Sequence, residues 1–329
     1  MRAGRDTIVS QSTASRRQHI ADAKAKGMGL RLFWHILPIL GALALMWLLV
    51  VTSDLTLDQL VSVFAAVTFG QVVAFLAITT ALLALSAFKW RLVMIQLPSE
   101  DALPPSGSSA FLYTCLGAVL GLVMMPHVAK HAGRAIGARL HSGVPAGKSV
   151  AASLFEQVFD LVMLVVLAGF GAIILAPALT PLIALALAGA LGAVVFLLRR
   201  PHLIPDRFHI ADLTHILRSP LALRLSSISL IIYLLTALRA GIVAVPAGIA
   251  LLPAEFFASF SLVQLSRLIA ITPMGLGIGD WSWATVLSLL DLPLALAAGF
   301  VLLNRSLNIV ATLGAFAVSV LISTLARRA

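Results

Sequence analysis

Apolar residues run continuously along this chain, with neither the short period of a half-buried strand nor the one-sided stripe of a surface helix. A helix needs about 20 mostly apolar residues to cross the hydrocarbon of a bilayer. Six windows meet that length: roughly Phe33–Val51, Val61–Phe88, Ala151–Ala176, Leu182–Leu198, Leu225–Ala250 and Leu294–Ser323. Two further apolar stretches, Ser108–Val128 and Phe256–Leu290, are interrupted by proline or glycine. A transmembrane β-barrel would instead show alternating segments of about 10 residues. The pattern therefore predicts an all-α polytopic membrane protein.

Composition agrees. Of 329 residues, 60% are hydrophobic and 11% charged, and the mean hydropathy is +1.04. A soluble domain carries about a quarter charged residues, so lipid must cover much of this surface. The single cysteine, Cys115, rules out an internal disulfide and a thiolate metal cluster; it reads as a small buried hydrophobe. The formal charge of +10 comes from bases that flank apolar segments, which fits membrane topology and anionic headgroups better than nucleic acid. Residues 1–32 contain Arg2, Arg5, Arg16, Arg17, Lys24, Lys26 and Arg31. They read as a flexible basic cytoplasmic tail, not a cleavable signal, with a single membrane domain over 33–329.

Lys and Arg mark the cytoplasmic side of short loops. On that rule Lys89/Arg91, the group Lys130, Arg134, Arg139 and Lys148, the segment 199–224 and Arg327/Arg328 are all cytoplasmic. The acidic or uncharged links at Thr52–Asp58, Pro177–Pro181 and Leu251–Glu255 are external. Two basic clusters on the same side of Ser108–Val128 make that stretch a re-entrant hairpin, at about 108–128. The same bookkeeping makes about 256–290 a second hairpin of opposite orientation. The expectation is six full spans, two re-entrant hairpins, a possible inverted repeat, and both termini in the cytoplasm of a cytoplasmic (inner) membrane. Oppositely oriented broken segments are where inverted-repeat transporters bind their substrates.

Four segments carry candidate chemistry. In Pro126–Arg134, Lys130 and Arg134 suit a lipid phosphate, as point charge and bidentate fork, or simply set topology. His127 and His131 lie i, i+4 but lack a third metal ligand of useful spacing. Glu156 and Asp160, also i, i+4, open an apolar span, where acids are costly and face protein. They read as proton carriers or ion-pair partners. In Thr272–Trp281, Gly275, Gly277 and Gly279 would let backbone N–H groups approach an anion if a helix begins near Asp280, or would allow tight packing; Trp281 and Trp283 suit a membrane interface. All but three of the 23 basic residues lie in tails or links. The three, Arg239, Arg267 and Arg305, sit inside apolar segments, at a cost of at least about 2.5–3.5 kcal/mol each. They need acids, Asp280 among them, or a bound anion. Gly117-Ala-Val-Leu-Gly121 permits close helix contact.

At Lys89-Trp90-Arg91, Pro126 with Arg134, Ser153–Asp160, Pro273–Asp280 and Arg305, the chain resembles the lysylphosphatidylglycerol synthase transmembrane, or flippase-like, family. It departs from the family pattern at Ala129-Lys130-His131, at Gln157 beside Glu156, and in the position of Asp280. The resemblance implies movement of lipid or lipid-linked substrates between leaflets by the membrane region alone, without the aminoacyl-transferase domain of some relatives. The expected partners are anionic membrane lipids, with no nucleic acid and no cofactor; a homodimer is among the open options. Arg134 would capture the headgroup, Arg239, Arg267 and Arg305 would hold its phosphate, and the three glycines would donate hydrogen bonds. The competing readings are an intramembrane lipid-modifying enzyme and a non-transporting assembly or regulatory subunit. The sequence contains no GxxxxGK[ST], HExxH or GxSxG motif.

Overall fold

The computed structural model describes residues 40–41, 43–97, 103–199, 216–217, 219–266, 272 and 275–326, excepting some side chains after residue 189. The 1–32 tail, most of the 199–224 link, Arg267, Pro273 and the Arg327/Arg328 terminus lie outside the described residues. All regular structure among the described residues is helical: α1 (Leu43–Thr52), α2 (Leu57–Ala65), α3 (Phe69–Ile95), α4 (Gly107–Leu120), α5 (Pro126–Ser142), α6 (Ala146–Leu175), α7 (Thr180–Arg199), α8 (Pro220–Ala244), α9 (Pro253–Ser266), α10 (Ile278–Ser288) and α11 (Leu294–Ala326), with a short 3-10 turn before α7.

Among the described residues, α3, α6, α8 and α11 are long and apolar enough to cross a membrane; the bent pair α1 and α2 makes a fifth if counted as one span. These helices meet at 101°. The expected span at Val61–Phe88 is split for a local reason. Thr56 with Gln59, and Thr68 with Gln71, each form a reciprocal capping box. Each box satisfies orphan amides at a helix start, so one helix ends at Ala65 and the next begins at Phe69. Large apolar side chains such as Trp47, Phe69, Leu140, Phe170 and Leu223 are exposed, and only lipid can cover them without cost.

Among the described residues, both interrupted stretches are pairs of helices too short to cross. The first, α4 and α5, spans 107–142, beyond the expected end at Val128. Pro126 starts the return helix instead of closing the hairpin, because proline is well placed at the first helical position, where its missing N–H costs nothing. Gly117 packs on Gly133, and Tyr113 lies over Gly137. These pairings run in opposite directions along the two arms, so the arms are antiparallel. The second stretch, α9 and α10, is joined through 267–277. Its arms are locked by Trp283, which stacks on Phe256 at 5.7 Å and meets Phe300 of α11 edge-on at 4.9 Å.

The order long helix, short pair, long helix occurs twice, as α3 to α6 and as α8 to α11. Each short pair crosses to the other unit: α4 packs on α11 and α9 on α6, while α3 packs on α8. Gly171 of α6 admits the backbone of Ala258 on α9, where a Cβ would meet a carbonyl at 2.8 Å. Two cores result, one around Trp90, Phe111 and Phe155 with Leu225 of α8, the other around Phe260, Trp283 and Phe300 with Phe75 of α3.

Candidate functional site

The broken ends of the two short pairs converge on a cavity of ≈ 440 Å³. Gly121, Pro126 and Lys130 come from the first pair, Gln264 and Gly275 from the second; α3, α6, α8 and α11 complete the wall. Of the expected cationic residues, Lys130, Arg239 and Arg305 line it and Arg134 does not.

Arg134 is fully buried. Its guanidinium donates to the Thr114 and Ser153 hydroxyls, to Glu156 Oε1, and to both the carbonyl and the hydroxyl of Ser86, and it lies over the Trp90 ring at 5.4 Å. The expected capture of a headgroup at the cytoplasmic face is corrected by this geometry, since every part of the fork is spent inside the protein. Glu156, equally buried, also accepts Lys130 Nζ at 2.7 Å.

Lys89 is likewise no loop marker. Helix α3 runs on to Ile95, and Lys89, fully buried, pairs with Asp160 and donates to Ser229 Oγ at 3.1 Å. Lys89, Lys130 and Arg134 thus share two carboxylates, Glu156 and Asp160, with Lys130 Nζ 4.0 Å from Asp160. This cluster forms one wall of the cavity through Lys130.

The second cluster sits at the start of α10. Gly275 and Gly277 have φ of 65° and 83°, values that only glycine adopts without strain. Asp280 ties the turn together: Oδ2 accepts the Gly277 N–H at 2.8 Å, and both oxygens accept from Arg305, Nε at 2.7 Å. Arg305 Nη2 also donates to the Gly275 carbonyl at 3.2 Å. The N–H of Gly275 goes to the Thr272 carbonyl. The expected glycine donors are therefore corrected as well: the amides of Gly275 and Gly277 close the turn, and Gly277 packs on Leu45 away from the cavity. Gly279 is buried in the first turn of α10. Arg305 keeps Nη1 without a hydrogen bond among the described residues, at the cavity wall.

Arg239 Nη1 donates to Thr79 Oγ1 at 3.2 Å, with its guanidinium 5.1 Å from the Phe75 ring centroid. The sequence pattern marks Lys89 only as a loop base and a carrier of the family resemblance, and gives no role to the cavity-lining Gln264, Tyr233, Asn304 and Asn308. The one signal for the asparagines was their i, i+4 spacing beside Arg305 in an otherwise apolar helix.

No curated protein matches the chain, and no solved structure does. A family model does match, that of the lysylphosphatidylglycerol synthase TM region, over residues 35–315. With the multi-pass helical architecture and the residues assembled at the broken helices, the match makes this chain a member of the lysylphosphatidylglycerol synthase TM region family.

Proposed function

We propose that the protein is a transporter, not an enzyme, and that it moves anionic lipid, or a lipid-linked anionic substrate, between the leaflets of the cytoplasmic membrane, with both termini in the cytoplasm. The short pairs act as re-entrant hairpins from opposite faces, and the headgroup passes between their tips. The observation that carries this reading is the cavity where the two broken pairs meet, with Lys130, Arg239 and Arg305 on its wall. A volume of ≈ 440 Å³ lies within the usual range of small-ligand sites, about 300–1,000 Å³. It suits a headgroup, while the acyl chains stay in lipid. Cations at membrane depth lower the cost of bringing a phosphate there, because attraction between opposite charges strengthens as the surroundings become less polar. Arg305 suits this role: Asp280 and Gly275 fix its plane, and Nη1 has no hydrogen bond among the described residues. Glu156 and Asp160, shared among three cations, are the groups through which proton movement could couple to transport.

One observation favours the rival reading of an assembly or regulatory subunit. Arg134 and Arg305 are paired with acids, as a purely structural role requires. The experiment that separates them is leaflet exchange of a tail-labelled anionic phospholipid in proteoliposomes, scored by quencher access. The transporter gives exchange above empty liposomes, lost in Arg305→Ala and reduced in Lys130→Ala. Absence of exchange across several anionic lipids, with and without a pH gradient, would reject transport and leave the subunit and the lipid-modifying enzyme.

A further inference from the structure

Resting on the transport reading, and going beyond it to the substrate class, we infer that the cavity takes a phosphate ester of a polyhydroxylated group, a sugar or cyclitol phosphate.

Three carboxamides line the cavity: Gln264 at the end of α9, and Asn304 and Asn308 one turn apart on α11. All three are half-buried. None of their side chains makes a hydrogen bond with another described residue. Helix α11 is 33 residues long, and these asparagines lie well inside it. With no partner among the described residues, these amides call for water or a ligand, since a polar group without a hydrogen bond is costly to remove from water. The cavity is thus shaped for water or for a ligand that can satisfy them.

The chemistry of an amide narrows that ligand. Each carboxamide offers two N–H donors and one acceptor oxygen. A bare anion could use the donors, but a phosphate already has Lys130, Arg239 and Arg305, which are the stronger partners. The three acceptor oxygens need donors, and a hydroxyl both donates and accepts. The Tyr233 and Thr312 hydroxyls, also on the wall, extend the same requirement. A ligand combining one phosphate with several hydroxyls meets both halves of the wall.

The test uses the purified full-length protein, with binding followed by calorimetry. The probes are myo-inositol 1-phosphate, methyl phosphate and unphosphorylated myo-inositol. Short-chain phosphatidylinositol and short-chain phosphatidylmethanol form the lipid arm. The inositol ester is expected to bind about tenfold more tightly than its methyl counterpart, the effect of one or two added hydrogen bonds, in at least one arm. A preference confined to the lipids identifies a lipid headgroup; one shared by the free esters identifies the phosphate ester itself. Asn308→Ala and Gln264→Ala, checked to melt like the parent, should abolish the preference by weakening the inositol compounds more than methyl phosphate or phosphatidylmethanol. Equal binding of the inositol and methyl compounds, or binding of neither, overturns the inference. Leaflet exchange decides the other reading separately: exchange of anionic lipids without headgroup preference keeps transport and rejects this inference, and selective binding without exchange does the reverse.

Discussion

Lys89 of α3 and Arg239 of α8 hold equivalent places in their helices, and each sends its charged end to a hydroxyl on the other's helix. Lys89 reaches Ser229 of α8 at 3.1 Å; Arg239 reaches Thr79 of α3 at 3.2 Å. The chain separation falls from 160 residues for the Thr79–Arg239 pair to 140 for Lys89–Ser229. Advancing along α3 therefore means retreating along α8, and the helices run antiparallel in register. Such reciprocity is what a two-fold axis across the helix pair produces. The ion pairs of the two units follow it with the signs exchanged. In the first, the cation Arg134 is on the second short helix and the acid Glu156 on the long one; in the second, Asp280 and Arg305 hold the opposite places. An inverted repeat with a substrate path at its centre has this form.

The inversion has a direct consequence for labelling. Cys115 is the one native cysteine and is buried, so it gives little background. In sealed vesicles of known orientation, Ser142→Cys, at the end of α5, and Asp291→Cys, just after α10, are expected to react with an impermeant maleimide from opposite faces, Asp291→Cys from outside. Reaction of both from one face would remove the inverted arrangement.

Arg134 and Glu156 are fully buried against each other, and the loss of either should be felt in folding. In Glu156→Gln the buried Arg134 keeps its hydroxyl partners but loses its counter-charge. Breaking a buried pair from one side costs about 3–5 kcal/mol, a large part of any membrane protein's margin. The expected result is a markedly lower melting temperature in detergent. Arg134→Lys should fare no better, because one ammonium cannot meet Thr114, Ser153, Ser86 and Glu156 together. Melting like the parent in both variants would show that water reaches this cluster.

The first short pair depends on two glycines that respond differently to a methyl group. A Cβ on Gly133 would lie 2.7 Å from the backbone of Gly117, whereas one on Gly137 would run into the ring of Tyr113. Both variants to alanine should be destabilised. Adding Tyr113→Ala removes the ring but leaves its Cβ 2.6 Å away, so it should restore part of the stability of Gly137→Ala and none of that of Gly133→Ala, whose obstacle is backbone. Thermal melts of the two double variants, each against its glycine single variant and Tyr113→Ala alone, test this.

The sequence carried the helical membrane architecture and the two interruptions, because hydropathy and Pro/Gly breaks act locally. Gly117 was legible as a close-contact residue, but its partner Gly133 was not, since nothing local reveals which helix a glycine faces. The charges were misread for the same reason. Lys89 and Arg134 follow apolar runs, as loop bases do, yet each is neutralised by an acid 71 or 22 residues away. A linear count of charge cannot see such a partner. Arg305 and Asp280 were both legible as residues that needed compensation; that they compensate each other follows only from the packing of α10 on α11.

That last pair makes the most discriminating prediction, because Asp280 does two jobs. It neutralises Arg305, and it accepts the Gly277 N–H that holds the left-handed turn. Asp280→Asn keeps an amide oxygen that can still accept from Gly277 or from Arg305, so the fold should survive with a modest drop in melting temperature. Asp280→Ala loses both acceptors and should lose a further few kcal/mol, about the cost of one orphaned buried amide plus one unpaired cation. Exchanging the residues, Asp280→Arg with Arg305→Asp, would restore stability if charge pairing were all that mattered. It is expected to fail, because arginine cannot accept from Gly277 and aspartate cannot donate to the Gly275 carbonyl. A swapped protein that melts like the parent would mean that the turn is held by its glycine backbone alone, and that Arg305 is free to serve the cavity without being oriented by the turn.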